Sequence, residues 1–233
     1  MEFLSIQNLV YRPWLKPMSR SVLAIILGIY GQLLIALVVW VLLGKPVQLS
    51  FQAELAVKIA LVLLESSVLV LIFVDKEPLS HYINLQQPTR ILLSGLVASI
   101  PLVLANRLMQ GWSIRYVHGE LAYYSQLTGS TLGGLGFLLL QTVYYFMEVF
   151  VLVYAYAKLA EGLRVWKQLP EKMIVIIGGL FLFITWSLPH GFVLTSLLSF
   201  SIGIYLPFAF AALYEYTDSQ VAPLIAWIMF LAL

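Results

Sequence analysis

Cysteine is absent from all 233 residues. That one gap excludes disulfides, thiolate-bound zinc and a cysteine nucleophile together, although a chain without thiols fits either redox environment. Charge is also scarce. Asp, Glu, Lys and Arg make up 10% of the chain, 13 basic against 11 acidic, for a formal net charge of +2. No stretch is basic enough for nucleic acid, so that class of partner is set aside. Internal repeats, low-complexity tracts and domain linkers are missing, and no Gly-Lys-Ser/Thr phosphate loop follows any of the glycines. His81, His118 and His190 are scattered without HExxH or comparable ligand spacing, so the sequence calls for no metal and no cofactor.

What remains is apolar. Hydrophobic residues are 61% of the chain and the mean hydropathy is +0.95, far outside the range of a soluble domain. The runs are continuous rather than alternating, which predicts an all-α, polytopic transmembrane bundle. Spans are expected near 21–44, 51–74, 91–109, 131–160, 171–191 and 193–216, six in all. A last apolar piece, 221–233, reaches only ~20 Å at 1.5 Å per residue, enough to enter the bilayer without crossing it. Residues 1–20 mix Arg12, Lys16 and Arg20 with Pro13, Pro17 and Trp14 and read as an interfacial arm, with 21–233 as one transmembrane domain. The run after the arm is too long for a signal-peptide core and stays as the first span. With the N-terminus in the cytoplasm, the inside segments hold Arg12, Lys16, Arg20, Lys76, Arg90, Lys158, Arg164, Lys167 and Lys172. Outside segments then hold Lys45, Arg107 and Arg115, which makes N-in the better orientation under the positive-inside rule.

Polar residues inside such runs are expensive, roughly 2.5–3.5 kcal/mol for a charge at the bilayer centre, so each needs a partner or a task. Gln141, Tyr145, Glu148 and Leu152 share one helix face. Two readings of Glu148 stand side by side: a protonated carboxyl bonded to a neighbouring helix, or a functional site. His190 follows Pro189 at the end of the fifth span, where a lone histidine ordinarily caps or joins an interface. Glu54 and Lys58 are spaced to neutralise one another on the second span, with Glu65 three turns on and lacking a local partner. Gly28, Gly31, Gly129, Gly133, Gly134 and Gly136 allow close helix contact. Trp14, Trp40, Trp112 and Trp166 lie near span boundaries as an interfacial belt.

The segment Met-Glu-Val-Phe-Val-Leu-Val-Tyr-Ala-Tyr-Ala-Lys-Leu at 147–159 resembles the first motif of the CPBP family, the CAAX prenyl endopeptidases and bacteriocin-processing intramembrane proteases. That motif is EExxxR followed by a small residue, an aromatic and a leucine. Phe150, Tyr154 and Leu159 set the register, so Glu148 matches the second Glu, Met147 replaces the first and Leu152 replaces the Arg. Trp186 to His190 is similar to the family's FxxxH, with Trp for Phe. The segment from Leu213 to Ala226 is similar to the approach to the third motif, HxxxN, which puts Trp227 and Leu231 at its two positions. The resemblance covers about 80–233. It implies a catalytic remnant in Glu148 and His190, and a binding surface in Tyr145, Trp186, Trp227 and Leu231.

In the family the first Glu and the FxxxH histidine activate water while the HxxxN pair steadies the oxyanion. Met147 cannot accept a proton, and only the Trp227 indole is left as a donor. Losing one such donor typically costs about 10²–10³ in rate. A register slip of one residue would let Glu148 act as base. Counting from the predicted membrane faces puts Glu148 nearer the inside and His190 nearer the outside, roughly 10 Å apart in depth. The resulting expectation is a degenerate CPBP-like protein that does not hydrolyse peptides. It would bind a membrane protein partner or a lipid or prenyl chain within the lipid bilayer, as a subunit or assembly factor. The alternatives are an active endopeptidase with an altered catalytic set, and an ion or solute carrier using Glu54, Lys58 and Glu65.

Overall fold

The computed structural model describes residues 13–43, 51–78, 80, 82–110, 115–190 and 196–232. Lys45, His81 and Trp112 lie outside the described residues, as do the side chains of Trp40, Arg115 and His118. Among the described residues every regular element is helical.

α1 (Leu15–Ile25) runs through a π-helical turn (Ile26–Tyr30) into α2 (Gly31–Leu43). Its first turns therefore carry Lys16 and Arg20, inside the stretch read as an arm. α3 (Phe51–Val74) ends where Lys76 turns left-handed, at φ 55°. α4 (Pro88–Gln110) starts on a proline, whose fixed φ suits a first helical turn. α5 (Arg115–Thr128) lies between the third and fourth predicted spans, where no helix was expected. α6 (Thr131–Lys167) is capped by Ser130, whose Oγ accepts from the Gly133 N–H, and is closed by left-handed Gln168. α7 (Glu171–Leu182) continues through a second π-turn, Phe183–Ser187. α8 (Leu197–Thr217) is capped by Ser196 and closed by left-handed Asp218. α9 (Val221–Ala232) is the short terminal helix.

α6 is the axis of the bundle. It packs against α1, α3, α5, α7, α8 and α9, and every residue from Glu148 to Lys158 on it is buried. Lipid offers no hydrophobic drive between helices, so association rests on close packing and hydrogen bonds. Gly28 shows the first: a Cβ there would lie 2.6 Å from Val151 Cγ1 on α6. Ser21 shows the second, its hydroxyl donating to the Ala155 carbonyl at 2.6 Å. α5 folds back onto the start of α6, with Tyr124 stacked on Phe137 at 5.2 Å and Gly134 lying against Ser125. α4 packs on α9 and α8.

Five of the helices are long and apolar enough to cross a membrane, and α9 is a shorter apolar one. The fifth predicted span is α7 with its π-turn, Glu171 to Ser187, shorter than the 171–191 expected. Large apolar side chains such as Leu63, Phe73, Leu108 and Leu132 are exposed on the outside, a surface suited to lipid. Trp14 and Trp166 pack together at 5.4 Å, at one end of the bundle.

Candidate functional site

Glu148, on the buried face of α6, is 2% exposed. Its Oε1 accepts the Trp186 Nε1–H at 3.0 Å and lies 3.1 Å from His190 Nε2. His190 Nδ1 is 2.9 Å from the Trp186 carbonyl. A carbonyl only accepts, so Nδ1 carries hydrogen, and one further proton is shared between Nε2 and Oε1. The pair is either a carboxylic acid donating to neutral imidazole or an imidazolium donating to carboxylate. Both forms leave the buried acid satisfied without a net charge, which answers the desolvation cost that singled it out.

The depth count had separated these two groups by roughly 10 Å; the structure brings them into contact. The difference lies at the end of the fourth span. α6 does not end near 160 but runs on to Lys167, while α7 begins at Glu171 as expected. Glu148 lies nineteen positions before Lys167 and His190 nineteen after Glu171, so the two arms of this hairpin bring them to one level. The π-turn adds its own contribution. Leu188 N–H reaches back to the Phe183 carbonyl at 3.0 Å, and the ordinary spacing resumes with His190 N–H on the Trp186 carbonyl at 3.1 Å.

Around this pair the other candidate residues assemble into an aromatic box. Trp227, 4% exposed, has its ring 5.9 Å from Trp186, 6.2 Å from Tyr145, 6.2 Å from Phe210 and 5.5 Å from Phe230. Its indole Nε1 is buried with no hydrogen-bond partner among the described residues. Met147 and Leu231 are partly buried against the same core. The sequence did not point to Phe210, whose ring stacks on Trp186 at 6.2 Å, or to Ser187, whose buried hydroxyl donates to the Gly203 carbonyl at 2.5 Å. The only signal for the latter was a small residue at 203 inside an apolar run.

A second polar chain threads the same bundle. Gln32 Nε2 donates to fully buried Glu65 at 2.6 Å, and Tyr144 donates to Gln32 Oε1 at 2.9 Å. Glu65 thus has its partner on a different helix, which periodicity along its own span could not show. Lys58 lies 5.7 Å over the Tyr144 ring, and Tyr124 donates to Gln141 at 3.3 Å.

At the end of the bundle nearest the α6–α7 turn, charges gather around a cleft of about 960 Å³. Lys158 bonds Glu77 at 2.5 Å and Glu161 at 2.8 Å. Glu215 accepts from Arg164 and, at 2.9 Å, from Tyr156. Asp75 takes both arms of Arg20, at 2.8 and 2.9 Å, and Lys16 at 3.1 Å. Burial pushes the Asp75 carboxyl up, but the hydrogen bonds and charges of Arg20 and Lys16 outweigh it and hold the group below its ordinary value. Among the described residues no group of three or more His, Asp or Glu side chains is placed to hold a metal ion.

These features define an integral membrane protein, a helical bundle with a Glu–His–Trp centre inside it. No protein-family model, no curated protein and no solved structure matches the chain.

Proposed function

We propose that this is a CPBP-like membrane protein whose proteolytic chemistry is lost and which acts by binding. Its ligand would be a membrane protein partner or a lipid or prenyl chain, with the protein serving as a subunit or assembly factor of a membrane complex. What supports the reading is that the polar atoms of the centre are spent on one another. Glu148 Oε1 is already engaged by the Trp186 N–H and by His190 Nε2, His190 Nδ1 is engaged by a carbonyl, and Met147 stands where the family has its base. Activating water needs a free base atom within about 2.6–3.2 Å of the water oxygen. The aromatic rings packed over the pair, with Trp186 and Trp227 buried, close it against a hydrated peptide bond.

The 3.1 Å Glu148–His190 contact also favours the rival, an endopeptidase with an altered catalytic set and the Trp227 indole as its one oxyanion donor. Cleavage of prenylated and plain peptides in proteoliposomes, with wild type, Glu148→Gln and His190→Ala, separates the two. The binding reading expects no turnover above the variants. Wild-type cleavage that vanishes in His190→Ala would establish the protease. We further place the N-terminus and the α6–α7 turn in the cytoplasm, on the excess of basic residues at that end.

A further inference from the structure

We propose that the charged cleft beside the α6–α7 turn receives the basic flank of a partner's transmembrane helix, while the apolar pocket next to it takes one side chain of that helix. This deepens the reading of the protein as a binder of a membrane partner and rests on it. The cleft of about 960 Å³ is walled by residues between 80 and 86, by α6 from Ala157 to Arg164, by Glu171 and by the end of α8 with Asp218. Among its lining side chains Lys158 and Arg164 stand against Glu161, Glu171, Glu215 and Asp218, an excess of two carboxylates. Both cations are already engaged. Lys158 is held by Glu161 at 2.8 Å and by Glu77 at 2.5 Å, and Arg164 by Glu215. Glu171 and Asp218 are exposed, and their carboxylates form no hydrogen bond or ion pair among the described residues. Tyr214 also lines the cleft. It is only 9% exposed, yet its hydroxyl has no hydrogen-bond partner among the described residues. The charges of Asp218, Glu215, Arg164 and Glu161 all act on that hydroxyl, which places it among the lining groups.

A concave wall with excess negative charge draws a cation and repels the phosphate of an anionic lipid. A metal ion does not fit, because among the described residues no three His, Asp or Glu side chains are placed to hold one. The volume is at the upper end of the roughly 300–1,000 Å³ of sites for whole ligands, so a lone ammonium ion would leave most of it open. Ile83, 42% exposed, lines both this cleft and an apolar pocket of about 110 Å³ shared with Phe146, Val149 and Leu224. The occupant is therefore cationic at one place and apolar at the next. Val149 comes nine residues before Lys158 on α6, which sets the pocket about 13 Å further into the bundle than the cleft. A transmembrane helix has that order of chemistry where it leaves the bilayer, apolar side chains first and then Lys or Arg. Under the positive-inside rule it does so on the cytoplasmic side, where we place this end of the bundle.

The test is energy transfer from the tryptophans of the full chain to a dansylated model helix in phosphatidylcholine liposomes. The helix has about 20 alternating Leu and Ala residues, enough to span, and ends in Arg-Arg-Arg or, as the comparison, in Gln-Gln-Gln. Saturable transfer is expected, with the arginine helix bound roughly two- to thirtyfold more tightly, the worth of two partly exposed ion pairs. That preference should shrink at about 0.5 M salt. Glu171→Gln with Asp218→Asn should erase most of it without lowering the melting temperature, since neither carboxylate has a partner to lose. Tyr214→Phe should weaken the arginine helix by about two- to fivefold, again with unchanged melting. Equal binding of the two helices to wild type overturns the proposal, and so does an arginine preference that survives the Glu171→Gln, Asp218→Asn pair. A preference that disappears when phosphatidylethanolamine is added to the liposomes would assign the cleft to a lipid amine instead. Equal and saturable binding of both helices would remove the cleft from the role and leave the protein a binder of membrane partners, whereas peptide cleavage by wild type would strike the binding reading itself.

Discussion

Restoring the family's third motif with Trp227→His and Leu231→Asn together probes whether the centre is closed by apolar contact or built to receive polar groups. Trp227 is 4% exposed and has four aromatic neighbours within 6.2 Å. Full truncation of such a residue costs about 3–5 kcal/mol, and each aromatic pair adds about 0.5–1.5 kcal/mol beyond area. Histidine keeps part of the ring, and the Trp227 N–H it replaces had no partner to lose among the described residues. A loss of about 3 kcal/mol for Trp227→His follows. Leu231→Asn at a partly buried core position adds about 1–2 kcal/mol, since its amide meets apolar neighbours. At about 2–4 °C per kcal/mol for a chain of this size, the double variant should melt roughly 8–20 °C lower in detergent, and it should gain no peptidase activity. A variant that melts within about 2 °C of wild type, or that cleaves peptide, would refute the closed-cavity reasoning.

Asp75 should make stability acid-sensitive. Its folded-state value is held down, so its contribution is complete above the unfolded value near 3.9 and is lost as pH falls through the folded one. Asp75→Asn should cost about 2–3 kcal/mol at neutral pH and flatten the melting-temperature profile below about pH 4. Gly178→Ala should be worse than Gly179→Ala: its Cβ would lie 2.2 Å from the ring of Tyr156, which is 1% exposed and tied to Glu215, while at Gly179 the clash is with half-buried Phe208. We expect about 1–3 kcal/mol for the former by thermal melt, and equal costs would contradict the packing. Lys167→Cys should resist an impermeant thiol reagent in intact cells; ready labelling would reverse the orientation.

The apolar runs made the long helices readable, because a span is mostly a matter of length and composition. α5 was not, since Arg-Tyr-Val-His-Gly-Glu-Leu-Ala-Tyr-Tyr-Ser-Gln-Leu-Thr carries enough polar residues to pass for a loop. What makes it a helix in place is packing on α6 through Tyr124, a tertiary effect that local composition does not encode. The residues of the centre were legible because buried polar groups stand out in apolar sequence. Their meeting was not, because it depends on α6 outrunning the membrane thickness: 37 residues make about 55 Å of helix. Glu65 stood without a partner in the sequence for the same reason, since it meets Gln32 only across two helices.

The π-turn at Phe183–Ser187 has a consequence for how this centre tolerates change in chain length. One extra residue is accommodated there, while the flanks are pinned by Trp186 on Glu148 and Ser187 on Gly203. Removing that residue, for instance by deleting Thr185, would restore plain α-helix and leave His190 close to its present bearing on Glu148, because the wide turn already absorbs the offset of about 100° that one residue makes. An insertion in the regular helix before the turn has no such outlet and would swing His190 off Glu148 although no residue of the centre had been altered. This short segment thus works as a length buffer for the histidine.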